Sequence, residues 1–423
     1  MTLDTPVDIP VDTPVAAPVT APVAGQAPAP VPEPPAEYAS RLARVRERMT
    51  RQSFAALIVT DPANLYYLSG YNAWSFYMPQ CLVVPVDGDP VLFARAMDAA
   101  GAGFTTWLPP AQVEGYPEDL VHRPDTHPFC WIARRIADRG LIATGERCAV
   151  EADSSYFTVR AYQALAAGLP GVRVADSAEL VNWVRVVKSP YEVEQMRVAG
   201  SIAEHAMQVA LTGVTAKRRQ CDVAADILAA QAHGTAEHGG DYSACLPFLP
   251  TGAGAGTPHL TFTDEPLRPG EATTIELAGV YRRYHAPLAR TVMLGEPSRR
   301  LTDTAAVVAE GMAETLATMR PGRTAGDVHG AWERVISAHG LSKDSRIGYS
   351  IGVGYPPDWG ERTVSLRRAE PTVLEAGMCF HVILGMWMDG WGYELSEPVV
   401  IVGDGVERLT SLPWELTILR EVL

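Results

Sequence analysis

The spacing of apolar residues divides this chain into helix-period and strand-period stretches. "AEYASRLARVRERMTRQ", beginning at Ala36, has helical spacing with its charges on one face, and predicts a helix. "FAALIVT" (54–60) and "QCLVVPV" (80–86) are short apolar runs rich in β-branched residues, the pattern of buried strands. "DGDPVLFAR" adds a turn and a further strand. "RCAVEA" and "VRVADS" predict later strands, with the helical "YFTVRAYQALAAGL" between them. Alternating helices and strands imply an α/β layer domain over residues 37–182.

Near Trp183 the pattern changes. "KSPYEVEQMRVAGSIAEHAMQVAL" opens with a capping box, Ser189 and Glu192 around Pro190. Val193, Met196, Ala199, Ala203 and Met207 then keep helical spacing, so a long amphipathic helix begins a second domain, 183–423. Helices are predicted at 303–319 and 324–340, and strands at 273–279, 284–294, 346–352, 378–388 and 392–402. Runs of helices and antiparallel strands indicate α+β. Residues 1–36 are mostly Pro, Ala, Val and Thr without an aromatic residue before Tyr38. Such a segment is expected to be a disordered tail leaning toward polyproline II, with no part in catalysis.

Composition narrows the partners. The chain has 423 residues, 47% of them apolar and 20% charged, enough for two or three globular domains. A net charge of −14 argues against nucleic acid or an anionic membrane as a partner. No apolar run is long enough to span a bilayer. "MTLDTPVDIPVDTPV" has acids and prolines where a signal peptide needs a basic start and an apolar core. Six scattered cysteines without a CxxC pair fit a reducing compartment, so a cytoplasmic location is expected.

Candidate chemistry concentrates in "TIELAGVYRRYHAPLART" (274–291), two strands around a turn. Glu276 lies between apolar Ile275 and Leu277. Burial there would raise its pKa toward a value useful in a general base. The plainer alternative is a buried ion pair with Arg282, Arg283 or Arg290. His285 and His381 each alternate with apolar neighbours, as a satisfied core histidine would too. Glu394 and Glu397 suit a cationic substrate group or a solvated strand edge. The aromatic residues Trp74, Phe76, Tyr77, Tyr355, Trp359, Trp387, Trp391 and Tyr393 suit either a core or a cation-binding wall.

Longer stretches carry a resemblance. "LYYLSGYNAWSFY", "VKSPYEVEQMRVAG", "IELAGVYRRYHAPLART", "GYSIGVGYPPDWGE", "LEAGMCFHVIL" and "GYELSEPVVIV" resemble the pita-bread family, which includes methionine aminopeptidase, Xaa-Pro dipeptidase and creatinase. "GYNAWSFYMPQC", "TPHLTF" and "GYPPDWGERT" resemble its ectoine hydrolase group in particular. The resemblance covers nearly everything after residue 37 and implies a creatinase-type α/β N-terminal domain before a pita-bread α+β catalytic domain. Metal-binding members hold two ions with two Asp, one His and two Glu. Matched one at a time, those positions fall on Glu276, Pro287, Tyr349, Ile383 and Ser396, or on Glu397 if the last register slips by one. The resemblance therefore implies a pocket without metal or other cofactor. It puts His259 where creatinase carries its catalytic histidine. It puts Phe76 where creatinase reaches into the neighbouring subunit's site, which implies a homodimer with shared sites. Creatinase's Arg two residues later is Met78 here, so a substrate carboxylate falls to Arg362 or Arg290. Tyr349 stands as a hydrogen-bond donor to substrate or as a packing residue.

The function these readings lead to is metal-independent hydrolysis of a small zwitterionic or cationic cyclic amidine, foremost ectoine to N-acetyl-diaminobutyrate. Alternatives are a related C–N hydrolase acting on another amidine, guanidine or lactam, an inactive pita-bread binding module, and an Xaa-Pro-type peptidase.

Overall fold

A computed structural model of the chain describes residues 34–420. Apart from its last three positions, the expected tail lies outside those residues. The chain divides into two compact units between Val184 and Arg185.

The first unit is built on a six-stranded sheet. Its strands are β1 (Ala56–Val59), β2 (Cys81–Pro85), β3 (Val91–Arg95), β4 (Val113–Tyr116), β5 (Arg147–Val150) and β6 (Arg173–Asp176), in the order β4-β3-β2-β1-β5-β6. The central strands are apolar on both faces because both faces are covered. Leu57, Val59, Leu82, Val84 and Ala149 meet α1 (Pro35–Arg51), α2 (Pro62–Ser69) and the start of α6 (Leu180–Arg185). Ile58, Val83, Phe93, Cys148 and Val150 meet α4 (Pro128–Asp138) and α5 (Val159–Gly168) on the other side. The short α3 (Ala96–Ala102) follows β3. This is the layered α/β arrangement that continuous β-branched runs demand.

The second unit holds the site. Helix α7 (Pro190–Gly213) begins with the capping box: the Ser189 hydroxyl accepts from Glu192 N–H, and the Glu192 carboxylate accepts from Ser189 N–H. Helix α8 (Gln220–His233) follows it. An antiparallel hairpin of β7 (Ala272–Tyr281) and β8 (Tyr284–Leu294) comes next, then α9 (Arg299–Thr318) and α10 (Ala325–Ala338). The remaining strands are β9 (Gly348–Tyr355), β10 (Asp358–Ser365), β11 (Cys379–Met388), β12 (Trp391–Val402), β13 (Gly405–Arg408) and β14 (Thr417–Leu419). The sheet runs β13-β12-β11-β9-β8-β14, with β7 added on β8 and β10 on β9.

Strand alternation decides what reaches the site. Along β7, Ile275 and Leu277 pack with Ala199, Ala203 and Met207 of α7 and with Val223 and Ile227 of α8. Ala278 and Val280 lie on the opposite face, against Ala244, Trp359, Phe248 and Tyr349. Glu276 shares that second face by the two-residue period. Helix α7 comes so close to β7 that a Cβ on Gly279 would lie 2.1 Å from Ala199 O and 2.2 Å from Ala203 N. Gly279→Ala should therefore push α7 off the strand that carries Glu276. The expected loss is ~1–3 kcal/mol, the usual cost of overpacking, read from the denaturant midpoint; an unchanged midpoint would show that the helix yields freely.

Candidate active site

Four strands converge on one buried polar pocket. Glu276 comes from β7, Tyr349 from β9, His381 from β11, and Glu394 and Ser396 from β12. The register pairs Ile383 with Ser396 and Gly385 with Glu394. Even-numbered residues of β12 and odd-numbered residues of β11 thus share one face, with Glu276 across from them.

Both carboxyls are buried, Glu276 at 5% exposure and Glu394 at 2%. Burial pushes the Glu276 carboxyl well above the usual range, and the charge of Glu394 pushes it further. Burial raises Glu394 to about 7, against a smaller pull downward from the Lys343 ammonium. Glu394 Oε1 has no hydrogen-bond partner among the described residues. Its backbone is fixed: Glu394 N–H donates to Thr291 Oγ1 at 2.8 Å, and the Thr291 hydroxyl donates to Glu394 O at 3.0 Å. Burial holds both acids toward neutrality, and the Glu394 charge adds to the pressure on Glu276.

Beside them runs a hydrogen-bonded chain. Trp359 Nε1–H donates to the Tyr349 hydroxyl at 2.8 Å, and that hydroxyl lies 3.0 Å from His381 Nδ1. His381 Nε2 is 2.7 Å from Ser396 Oγ, which accepts from Ala289 N–H at 2.6 Å. Burial and the nearby Arg346 charge lower His381 to about 3, so its ring is neutral. In either tautomer of the neutral ring one hydroxyl proton stays uncommitted. If His381 Nδ1 carries hydrogen, Tyr349 keeps it; if Nε2 does, Ser396 keeps it. Burial and the Glu276 charge hold the Tyr349 phenol well above its ordinary value, so it remains a donor.

Several sequence expectations are corrected here. His285 lies on the same face as Glu276, four residues before Glu276's partner Ala289 on β8, but both its nitrogens are used. Nε2 accepts from Ala244 N–H at 3.0 Å and Nδ1 donates to Arg283 O at 2.8 Å, while burial drives its pKa well down. It braces the loop before β7 and has no lone pair for acid–base work. Glu397 and Arg290 face away from the pocket because each is one residue out of phase with it. They form a buried ion pair, and Glu397 also accepts from Arg408, Thr410 and Trp414. Arg290 further donates to the carbonyls of Pro413, Ala289, Ser396 and Leu412. A guanidinium so occupied cannot receive a substrate carboxylate. It is also not the partner of Glu276. Since Ser396 is the residue opposite Ile383, the register does not slip to Glu397.

The rest sort by location. His259 is exposed, at left-handed φ 66°, with its ring 5.5 Å from Phe248, whose backbone bridges to Glu276. It lies outside the buried polar set. Tyr355 is buried against the Arg283 guanidinium, a packing role. Arg362 is exposed on β10. Trp74 and Phe76 belong to the first unit, in a short turn where Phe76 is buried and Trp74 is 58% exposed. Residues that sequence reasoning did not single out also reach the pocket: Phe248, Cys245, whose thiol burial and the Asp358 and Glu276 charges raise to about 12, and Lys343. Nothing marks them in the sequence. They lie in loops without periodicity, and only the folded strands bring them near Glu276 and Glu394.

The donor set does not fit a two-metal centre. Pro287 and Ile383 offer no ligand atom, and the Tyr349 and Ser396 hydroxyls are tied into the His381 chain. No group of three His, Cys, Asp or Glu among the described residues is arranged to hold a metal.

An α/β unit before a unit whose hairpin and antiparallel strands frame a buried acid site defines a creatinase-like two-domain hydrolase. The comparisons agree: the chain belongs to metallopeptidase family M24, whose profile matches residues 194–403, with the creatinase/prolidase N-terminal domain matching 41–187. It is 41% identical over 387 residues to ectoine hydrolase of Halomonas elongata, covering 90% of this chain and 96% of that one. Prolidase from Thermococcus sibiricus superposes with a TM-score of 0.78 at 18% identity, over 90% of this chain and 99% of that one. Dipeptidase PepE from Mycobacterium ulcerans gives 0.73 at 23%, over 91% and 99%. These two likenesses establish the pita-bread fold and nothing finer.

The raised carboxyls make stability pH-dependent. A carboxyl whose folded pKa lies above its unfolded one stabilises the protein fully below the unfolded value, and that contribution is lost as pH rises through the folded value. For Glu394 the window runs from 4.5 to about 7. Glu394→Gln should therefore gain on the wild type, in unfolding midpoint, as pH rises from 4.5 through about 7. A gap independent of pH would show that Glu394 ionises normally in the folded chain.

Proposed function

We propose that this protein is a metal-independent hydrolase that opens a small cyclic amidine, with ectoine as its substrate and an N-acetyl-diaminobutyrate as product. The observation that carries the proposal is the pair of buried carboxyls, Glu276 and Glu394, at a site whose other metal positions hold Pro287, Tyr349, Ile383 and Ser396. The 41% identity to an ectoine hydrolase supports the choice of ring.

A cationic amidinium compensates buried negative charge. On binding it favours the ionised form of both carboxyls, so the free enzyme stores a proton that the complex releases. Glu276, then ionised, takes a proton from water. The water oxygen bonds to the amidine carbon, Glu276 returns its proton to the leaving nitrogen as one ring C–N bond breaks, and the new hydroxyl gives its remaining proton through Glu276 to the freed amine as it becomes the amide carbonyl. Glu394 holds the amidinium N–H groups, and the uncommitted hydroxyl of Tyr349 or Ser396 orients the water. Trp359 acts through Tyr349 by fixing its hydroxyl, and His259 stands at the edge, outside the proton path.

The test is Glu276→Gln assayed for ectoine loss. Turnover should fall on the order of 10²–10⁴-fold, the usual worth of a general base, with little change in melting temperature. Full wild-type activity should persist in chelator. A variant that melts early but turns over normally would make Glu276 scaffold. Two bound ions per chain by elemental analysis would return the protein to the metallopeptidase reading.

The proposal extends to a homodimer with shared sites. Trp74 and Tyr77 are 58% and 66% exposed on either side of Phe76, an apolar projection suited to a second copy's pocket. Sedimentation should give a dimer, and a fully active monomer would exclude sharing. No helix among the described residues is long and apolar enough to cross a membrane. Six free thiols suit a cytoplasmic enzyme, which fractionation of the source cells would check.

A further inference from the structure

The hydrolase reading leaves one end of the substrate without a partner. Ectoine carries a carboxylate as well as its amidinium; of the two arginines that the sequence offered for it, Arg290 is spent on Glu397 and Arg362 is exposed on β10. Other cations around the pocket are also committed. Arg283 lies between the Tyr242 and Tyr355 rings and donates to Tyr242 O and Gly354 O. Lys188 is paired with Glu361. Arg346 is exposed, over the Tyr349 ring, and donates to Ser365 Oγ.

Lys343 is placed differently. It sits in the segment between α10 and β9, half-buried. Its Nζ donates to Gly385 O at 2.7 Å and lies 3.9 Å from the centroid of the Trp387 ring. Gly385 is the residue directly opposite Glu394 in the β11–β12 register. The ammonium is therefore fastened to the strand pair that carries the buried acid. An ammonium has three N–H donors; the Gly385 carbonyl takes one, and the Trp387 face offers the charge an aromatic wall. Lys343 and Glu394 act on each other electrostatically. Yet the lysine's hydrogen-bond partner is a carbonyl, and Glu394 Oε1 has none among the described residues.

We propose that Lys343 receives the substrate's carboxylate, so that the space between its ammonium and the Glu394 carboxylate selects zwitterionic rings over simple cations. The inference rests on the amidine-hydrolase reading and adds the residue that reads the far end of the substrate. A zwitterion completes both halves: its amidinium meets Glu394 and its carboxylate meets Lys343. A plain amidinium would leave the lysine unpaired. Burial lowers the lysine to about 8, an ammonium stripped of part of its water and gaining more from a new anion than a solvated one would.

The experiment compares kcat/KM for ectoine and for the same methyl-tetrahydropyrimidine ring without its carboxylate. Wild type should prefer ectoine. Lys343→Met should raise KM for ectoine by about 10- to 100-fold, the worth of one hydrogen bond to a charged group, and should affect the ring without carboxylate much less, so the preference collapses. Lys343→Arg should restore part of it, which separates lost charge from damaged packing. A Lys343→Met enzyme that keeps the preference overturns the proposal, as does an Arg346→Met enzyme that loses it while Lys343→Met does not. If wild type opens neither ring, the hydrolase reading itself fails and the assignment of Lys343 fails with it. If wild type opens both rings equally, only the assignment of Lys343 fails.

Discussion

Two carboxyls held out of water on facing strands cannot both be ionised cheaply, and the rest of the second unit is arranged around that cost. Glu276 and Glu394 are presented to one cavity because β7 and β12 each turn their even-numbered residues inward. The neighbouring polar groups are neutral and hydrogen-bonded: Tyr349, His381 and Ser396 bring no compensating charge. Two of the nearby cations are committed elsewhere, Arg290 behind β8 with Glu397 and Arg283 between two tyrosines, which leaves Lys343 as the charge that pulls on Glu394. Burial without a full set of counter-charges is what holds both carboxyls toward their neutral forms.

Much of the fold was legible because periodicity reports burial directly. The β-branched runs at 54–60 and 80–86 became central strands covered on both faces, and the Ser189–Glu192 box capped α7. Helix α8 and strand β10 were not anticipated. The first carries few large apolar residues, and the second, "DWGERTVS", has a charged and irregular pattern with shifts in its pairing to β9. The cis bond between Pro356 and Pro357 lies in the turn joining β9 to β10.

The site was legible in its acids and illegible in its phases. Glu276 could be singled out because its neighbours along the strand are apolar. Glu394 and Glu397 looked equivalent in sequence, and only the register of β11 with β12 separates a pocket acid from the anchor of Arg290. The histidines misled for a related reason. Sequence shows that a ring is buried but not what its nitrogens touch, and for His285 a backbone N–H and a backbone carbonyl take both.

The bond from Ala289 N–H to Ser396 Oγ bears on how such a chain can change over generations. Ser396 joins β8 to the His381–Tyr349 chain, so an acid at that position would strip His381 of its partner and place a third carboxyl against two that already repel. Replacing Pro287 by an acid would meet the same crowding, and replacing Tyr349 by histidine would remove the hydroxyl that Trp359 and His381 share. Each single substitution toward a ligand-rich pocket therefore adds uncompensated charge or breaks a hydrogen bond before a ligand set is complete. Ser396 thus ties β8, β11 and β12 into one neutral network, which holds only while the residue at this position is small and uncharged.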